Sequence, residues 1–408
     1  MAELNETPSG NRVRIGFFGL RNAGKSSLIN ALTGQELAIV SEVPGTTADP
    51  VSKAMEILPL GPCVLTDTAG LDDEGSLGEL RIRKSFDVLA KTDVAIWVAA
   101  ADRVDAGEPL VDPAFAARCK ALAIPLISVL SKCDLLPAGS PIRDSRLAAP
   151  SSCGPDSPTI LLSAATGEGV GELKKALAAI RVDAPPPLLA GMVEPGDVVA
   201  CVCPIDESAP KGRLILPQQQ VIRELLDTGA SALVCQPAEL AAHFDAPPAR
   251  RPSLVVTDSQ AFGAVAAAIP AGTRLASFSV LFARQKGDVP EFLRGLAAAR
   301  NLSEGARVLV AEGCTHHRQC NDIGAVKIPK ALSKISGARS LAVEFASGAG
   351  FPSSLDGFAL VVHCGGCMLT RRMVMSRIAA CREAGVPIVN YGLLLAAAAG
   401  VRVEELEF

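Results

Sequence analysis

One short segment constrains the fold of this 408-residue chain more than any other. Residues 19–26 read Gly-Leu-Arg-Asn-Ala-Gly-Lys-Ser, which fits the pattern G-x-x-x-x-G-K-[ST]. An apolar run at 14–18 precedes the segment, and a helical pattern at 27–32 follows it. In this strand–loop–helix order, a glycine-rich loop can wrap phosphate groups at a helix N-terminus. The segment therefore predicts a nucleotide-binding domain; the alternative is a glycine-rich turn that matches by chance.

Most residues of this loop have a predicted role in binding a nucleoside triphosphate. We expect Lys25 to reach the outer phosphates as a catalytic residue and the Ser26 hydroxyl to ligate Mg²⁺. The remaining backbone N–H groups of the loop would wrap the phosphates. The loop residues predicted to bind the nucleotide or its cations are Gly19, Asn22, Ala23, Gly24, Lys25, Ser26 and Ser27.

Two further segments carry residues expected near the γ-phosphate. Asp67-Thr-Ala-Gly70 follows an apolar pair, which places Asp67 beside Mg²⁺ and the Gly70 N–H beside the γ-phosphate. Thr46 and Thr47 lie in a loop expected to close over the nucleotide, with Thr47 as a further Mg²⁺ ligand. Together with Lys25, the residues Thr47, Asp67 and Gly70 form the predicted catalytic set.

Two later segments predict that the base is guanine. Ser131-Lys-Cys-Asp134 follows an apolar run and resembles the N-K-x-D guanine box. In that box Asp134 would accept two hydrogen bonds from the guanine edge, and Lys132 would pack along the base. Ser163 and Ala164 resemble the last guanine-contacting loop. GTP is therefore the predicted nucleotide.

Short apolar runs alternate with helix-like stretches along the whole chain. The runs lie at 13–18, 95–99, 125–130, 198–202, 232–234, 308–310, 359–362 and 387–389. Continuous apolar strands that alternate with helices indicate parallel sheets covered on both faces. In the middle region, 196–203, 213–216 and 231–235 predict strands, and 218–228 predicts a helix. The predicted class is α/β, repeated more than once.

Composition excludes several classes of protein. Lys and Arg number 39 against 43 Asp and Glu, and aromatic residues make up 4%. A general nucleic-acid binder usually has a basic excess or aromatic platforms, so we expect no nucleic-acid partner. No apolar run reaches the ~18 residues that span a bilayer, and the N-terminus is polar and acidic. These features predict a cytoplasmic protein without a membrane partner.

Cysteines and histidines cluster after two predicted strands near the C-terminus. Cys314-Thr-His316 follows one apolar run, and His363-Cys-Gly-Gly-Cys367 follows another. Open α/β sheets place their sites at such strand ends, so the two groups can converge on one metal. Three thiolates with one His suit Zn²⁺, and three thiolates alone suit a [4Fe–4S] cluster with an exchangeable fourth ligand. A C-x-x-C redox pair and plain core thiols remain alternatives.

The first domain resembles a known branch of GTPases. Residues 13–180 look like a translation-factor-type GTPase of the tRNA-modification and ribosome-assembly branch. This sequence departs from the pattern at Ser131, where Asn is usual and weaker affinity is expected, and at Leu71, where Ras-like enzymes carry a water-orienting Gln. In that branch an Asn at the position of Asn22 helps to bind K⁺; on spacing alone, Asn22 can equally be a turn residue.

The whole chain, from about residue 11, resembles the [FeFe]-hydrogenase maturation GTPases, the HydF family. The C-x-H and H-C-x-x-C groups carry the resemblance, together with residues 204–217, 257–262 and 277–284. It implies a P-loop GTPase domain (1–182), a small α/β dimerisation domain (188–262) and an α/β iron–sulfur domain (263–408). It also implies a [4Fe–4S] cluster on Cys314, Cys364 and Cys367, with His316 or His363 near the fourth iron.

The same resemblance implies a function. A family member hydrolyses GTP, accepts a transient diiron subcluster made by two radical-SAM maturases, and delivers it to apo-[FeFe]-hydrogenase as a homodimer. Two alternatives remain. One is an RNA-modifying or ribosome-associated GTPase with a structural zinc, and the other is a redox enzyme that uses Cys364 and Cys367.

Overall fold

Three β-sheets built from these apolar runs organise the chain in the computed structural model. The structure describes residues 9–34, 51–71, 82, 85–137, 139–144, 159–180, 185–205, 212, 214–313, 322–348, 350–352 and 354–401. The chain divides into two compact units, Met1–Asp183 and Ala184–Phe408. Four predicted site residues lie outside the described residues: Thr46, Thr47, Cys314 and His316.

The first unit contains a six-stranded sheet in the order β2-β3-β1-β4-β5-β6. Its strands are β1 Val13–Phe18, β2 Val51–Ile57, β3 Gly61–Asp67, β4 Val94–Ala100, β5 Leu126–Ser131 and β6 Thr159–Leu161. All neighbouring strands are parallel except β2, which runs antiparallel to β3 at the edge. The helices are α1 Lys25–Thr33, α2 Ala101–Asp105, α3 Pro113–Ala121, α4 Pro141–Asp144 and α5 Val170–Ala179. A 3₁₀ turn, Cys133–Leu135, follows β5.

Helices cover both faces of this sheet because its central strands are apolar on both sides. In β4, Val94, Ile96 and Val98 belong to one buried cluster, and Ala95 and Trp97 belong to another. This alternation follows from the two-residue period of a strand. Because β1, β3, β5 and β6 are parallel, their carboxyl ends lie at one edge of the sheet, where the predicted nucleotide segments begin.

The second unit contains two parallel four-stranded sheets, ordered β10-β9-β7-β8 and β12-β11-β13-β14. The strands are β7 Val198–Val202, β8 Ser231–Cys235, β9 Leu254–Thr257, β10 Arg274–Ser277, β11 Arg307–Glu312, β12 Ala342–Ser347, β13 Leu360–His363 and β14 Ile388–Asn390. The helices are α6 Leu216–Thr228, α7 Phe262–Ala268, α8 Phe278–Lys286, α9 Val289–Ala299, α10 Ile328–Ser336, α11 Arg371–Glu383 and α12 Tyr391–Ala398. The predicted α/β class is confirmed.

Two details differ from the sequence-based expectation in this unit. The predicted strand 213–216 is wrong in its described residues, because Leu214 and Ile215 are irregular and Leu216 begins α6. The Gln218 side chain accepts a hydrogen bond from the Ile215 N–H at 3.0 Å, which fixes this helix start. Strand β10 completes the sheet of β7–β9, so that sheet extends past the predicted 262/263 boundary. We propose a boundary after α8 instead.

Both sheets of the second unit contribute to one hydrophobic core. Val202 and Val255 belong to the same buried cluster as Val310 and Val361. Helix α9 packs closely on β14, since a Cβ at Gly295 would lie 1.9 Å from the Ile388 carbonyl oxygen. Among the described helices of the whole chain, none is long and apolar enough to cross a membrane.

Candidate nucleotide and metal sites

The phosphate loop leads directly from β1 into α1. Gly19 has φ +145°, and a Cβ there would lie 2.1 Å from the Val98 carbonyl oxygen, so only glycine fits. Gly24 and Asn22 have φ of +90° and +58°. Asn tolerates this left-handed conformation better than most residues do, which is consistent with a turn role for Asn22. The loop therefore has the backbone shape that wraps a phosphate.

Lys25 lies inside the loop that it follows. Its side chain is only 8% exposed, and its Nζ donates to the carbonyl oxygens of Gly19 at 3.1 Å and Leu20 at 2.8 Å. The Leu71 N–H also donates to the Gly19 oxygen, at 3.3 Å. The segment that contains Asp67 and Gly70 therefore reaches the phosphate loop.

Asp67 and Ser26, the residues predicted to lie at Mg²⁺, are in direct contact. The Ser26 hydroxyl donates to Asp67 Oδ2 at 2.5 Å. Asp67 is 4% exposed, and its Oδ1 has no hydrogen-bond partner in the described part of the chain. Burial raises the pKa of Asp67, opposed by the Ser26 hydrogen bond and by Lys25. A buried carboxylate oxygen without a partner fits Mg²⁺, which prefers oxygen ligands and a bound phosphate.

Ser131 contacts two backbone carbonyl oxygens, one of them in the phosphate loop. Its buried hydroxyl lies 2.5 Å from the Ala23 carbonyl oxygen and 3.1 Å from the Ala99 carbonyl oxygen. Because a hydroxyl has one proton, the shorter contact marks the hydrogen bond to Ala23. The start of the guanine box is thus tied to the phosphate loop.

The other guanine-box residues lie at the same edge of the sheet. Lys132 has φ +58°, and Asp134 follows in a 3₁₀ turn with its side chain exposed. The Cys133 N–H donates to the Leu162 carbonyl oxygen at 3.2 Å, which holds this turn beside the end of β6. Ser163 and Ala164 begin there, and the Ser163 hydroxyl accepts from Thr166 N–H at 3.2 Å. The two predicted guanine loops are therefore neighbours.

The segment His363–Cys367 begins at a strand end where the topology of the second unit predicts a site. Strand β11 pairs in parallel with β12 on one side and with β13 on the other, so the order in which strands are added to the sheet changes side at β11. Ligands bind outside the carboxyl ends of strands at such a switch point. Gly313 directly follows β11, and its N–H donates to Cys364 Sγ at 3.1 Å. Cys314, the next residue along the chain, lies outside the described residues.

The Cys364–Cys367 loop is half-buried. Gly366 N–H also points at Cys364 Sγ, at 3.4 Å, and Gly366 has φ +68°. Burial raises the pKa of Cys364 to about 11 and also raises that of Cys367. Without a metal these thiols hold their protons, so a metal that binds the two sulfurs would have to displace the protons. Backbone N–H groups aimed at a cysteine sulfur suit a thiolate ligand.

His363 is held in a way that differs from its expected role near the fourth iron. Its Nδ1 lies 2.7 Å from the Cys364 carbonyl oxygen, and its Nε2 lies 3.0 Å from an Arg377 nitrogen. A carbonyl only accepts, so Nδ1 carries the proton and Nε2 accepts from Arg377. Burial and then Arg377 lower the pKa of His363 to about 4. Neither ring nitrogen keeps a lone pair for a metal.

Sequence reasoning missed two buried cations beside this loop. Lys286, at the end of α8, is 1% exposed, and Arg377, in α11, is 7% exposed. Burial lowers the pKa of Lys286 to about 8, while Cys367 and Cys364 act in the opposite direction. Nothing in the motif spacing indicates either residue. Lys286 reaches the loop from α8, 80 positions before Gly366, and Arg377 lies on α11, the helix that follows the loop.

The described residues do not contain a complete metal site. Among them, no three His, Cys, Asp or Glu side chains are arranged to hold a metal ion. The described residues supply two thiols, N–H groups at one sulfur, and a strand that leads straight to a third cysteine. These residues fit a metal or cluster that also uses Cys314, and that site stays a prediction.

Three family models match successive parts of the chain. A 50S ribosome-binding GTPase model matches residues 14–132. The hydrogen maturase F dimerization domain matches residues 188–287, and the hydrogen maturase F tetramerization domain matches residues 290–407. The two maturase models together cover more than half of the chain.

Curated relatives with this GTPase part include tRNA modification GTPases. The tRNA modification GTPase MnmE of Methylococcus capsulatus is 39% identical over 158 residues, which is 38% of this chain and 32% of that protein. MnmE of Thermus thermophilus is 33% identical over 165 residues, 40% of this chain and 32% of that protein. The chain thus spans about a third of the length of these curated relatives. A solved structure of an Era variant from Aquifex aeolicus aligns at 22% identity with a TM-score of 0.35, covering 54% of this chain and 91% of that chain.

The fold, the phosphate loop and the family models together define a P-loop GTPase domain that is followed by α/β dimerization and tetramerization domains. The chain belongs to the hydrogen maturase F family, as the resemblance predicted.

Proposed function

We propose that this chain is a GTP-hydrolysing scaffold for assembly of the [FeFe]-hydrogenase H-cluster. It binds a [4Fe–4S] cluster and carries a diiron precursor to the apo-hydrogenase. The hydrogen bond from Gly313 N–H to Cys364 Sγ carries the metal half of this proposal, because it brings the chain that leads to Cys314 beside the Cys364–Cys367 loop. The family membership supports the connection to hydrogenase maturation.

The nucleotide half of the proposal is GTP hydrolysis with Mg²⁺ and K⁺. Lys25, Gly70 and the loop N–H groups bind the outer phosphates, and Asp67, Ser26 and Thr47 hold Mg²⁺. Thr46 closes over the nucleotide, and Asn22 helps to bind K⁺. The unpartnered Asp67 Oδ1 supports the Mg²⁺ assignment, and the exposed Asp134 supports the guanine assignment.

For the cluster, we propose Cys314, Cys364 and Cys367 as ligands, with His316 as the remaining histidine candidate near the fourth iron. The cluster supplies an iron without a cysteine ligand, to which a diiron unit can bind. His363 instead orients the loop, since both of its ring nitrogens are hydrogen-bonded within the protein.

The proposed partners follow from the family. The chain forms a homodimer that assembles further through its tetramerization domain, receives the diiron unit from two radical-SAM maturases in the cytoplasm, and delivers it to apo-[FeFe]-hydrogenase. The proposed domains are 1–182 for GTP hydrolysis, 188 to about 287 for dimerisation, and about 290 onward for the cluster.

Metal analysis of anaerobically reconstituted protein tests this proposal. Wild type should contain iron and give a [4Fe–4S] EPR signal after reduction, and Cys364→Ala and Cys367→Ala should lose that signal. Cys381→Ala is the matched control, because Cys381 is a buried thiol of α11 outside the loop, and its signal should persist. Zinc in place of iron would support the tRNA-modification or ribosome-associated alternative. An undiminished signal in both loop variants would contradict the ligand assignment.

A further inference from the structure

Lys286 is built into the base of the Cys364–Cys367 loop. Its Nζ donates to the carbonyl oxygens of Gly366 at 3.3 Å, Cys367 at 3.2 Å and Leu369 at 2.7 Å. It also lies 5.0 Å from the centre of the Phe282 ring, one turn earlier on α8. Three carbonyl oxygens of one short loop therefore converge on a single ammonium group.

This ammonium has no carboxylate partner within the described residues. The ionisable groups that favour its charged form are Cys367 and Cys364. Arg377 is similar: its guanidinium donates to His363 Nε2 and to the Gly348 carbonyl oxygen at 2.6 Å, and it makes no ion pair with a described carboxylate. Fully buried lysines and arginines are rare unless they are paired, because an uncompensated charge is costly in a low dielectric. Two such cations beside two thiols point to an anion at the thiols.

We propose that Lys286 is a positioning residue that supplies the counter-charge for an anionic metal–thiolate centre on Cys364 and Cys367. This inference rests on the proposed function. Three thiolates give a [4Fe–4S] centre a net negative charge, and reduction by one electron makes that charge larger. A buried positive charge at this position stabilises the centre and favours its reduced state. The same ammonium holds the loop carbonyls and so fixes where the thiolates point.

Two neutral variants separate charge from hydrogen bonding. Lys286→Met removes the charge and the donors, whereas Lys286→Gln removes the charge but keeps an amide that can donate to the loop carbonyls. Lys330→Met is the control, because Lys330 is an exposed lysine of α10 in the same unit. Each protein is reconstituted anaerobically with iron and sulfide, checked by thermal unfolding, and titrated with dithionite under EPR.

Both Lys286 variants should bind a cluster that is harder to reduce. Their midpoint potential should shift to more negative values, and less reduced signal should appear at a fixed potential, while Lys330→Met matches wild type. If Lys286→Gln titrates like wild type, the counter-charge role is overturned, whatever Lys286→Met does. If wild type itself takes up no iron, the proposed function fails and this inference fails with it. Iron in wild type with unchanged Lys286 variants defeats this inference alone.

Discussion

Two glycine-containing loops in this molecule each enclose a buried lysine. Lys25 donates to two carbonyl oxygens of the phosphate loop, and Lys286 donates to three carbonyl oxygens of the Cys364–Cys367 loop. In both places backbone carbonyls hold an ammonium group beside the position of a predicted anion. Under the proposed function, the phosphate loop and the Cys364–Cys367 loop would each bind an anion beside a buried positive charge that is already in place.

The two loops differ in where the lysine comes from. Lys25 lies six positions from Gly19, so one short motif contains both the lysine and the loop. Lys286 lies 80 positions from Gly366 and reaches the loop only because α8 packs beneath it. The phosphate loop is thus local in sequence, whereas the proposed metal site needs the tertiary fold.

Removing the local lysine should have the largest effect. Lys25→Met should lower the rate of GTP hydrolysis by ~10²–10³-fold, because the developing charge on the phosphates loses a preorganised donor. Lys174→Met, which changes an exposed lysine of α5, should keep the wild-type rate. Phosphate release under saturating GTP measures both variants. A wild-type rate for Lys25→Met would mean that Lys25 does not stabilise the charge on the phosphates, and the comparison with Lys286 would fail.

The sequence predicted what is local and missed what is distant. The phosphate loop, Asp67 and the guanine box are short motifs after apolar strands, and the structure brings them to one edge of one sheet. The strand prediction at 213–216 failed because the three apolar residues after Arg213 are too few to show a period, and Gln218 starts the helix through a side-chain contact. Lys286 and Arg377 had no signal, since an isolated Lys or Arg on a helix usually faces solvent.

Potassium should have an intermediate effect at the nucleotide site. Leu71 occupies the position of the water-orienting Gln, so the site lacks that catalytic group. A K⁺ ion at Asn22 would add a second positive charge beside Lys25, whereas the Cys364–Cys367 loop has no such exchangeable cation in the proposal. We expect hydrolysis to be about tenfold faster in K⁺ than in Na⁺, well below the ~10³–10⁵ that an arginine finger supplies. Asn22→Gly keeps the left-handed backbone and removes the amide, and it should abolish the difference. Equal wild-type rates in the two salts would contradict the role of Asn22.

Ser131 should have the smallest effect, and it tests how much a distant contact adds to a local motif. Ser131→Ala removes the hydrogen bond to the Ala23 carbonyl oxygen and leaves that oxygen without its donor. The loss of one such bond costs about 1 kcal/mol, so the Kd for GDP should rise about fivefold. Ser128→Ala is the matched control on β5: Ser128 is buried and its hydroxyl has no partner among the described residues, so its removal should leave the Kd unchanged. Titration of both variants with a fluorescent GDP measures the difference. Equal Kd values would show that Gly19, Gly24 and Lys25 hold the shape of the phosphate loop without the Ser131 contact. The phosphate loop would then depend even less on distant contacts than the structure indicates, and its contrast with the proposed metal site would be larger.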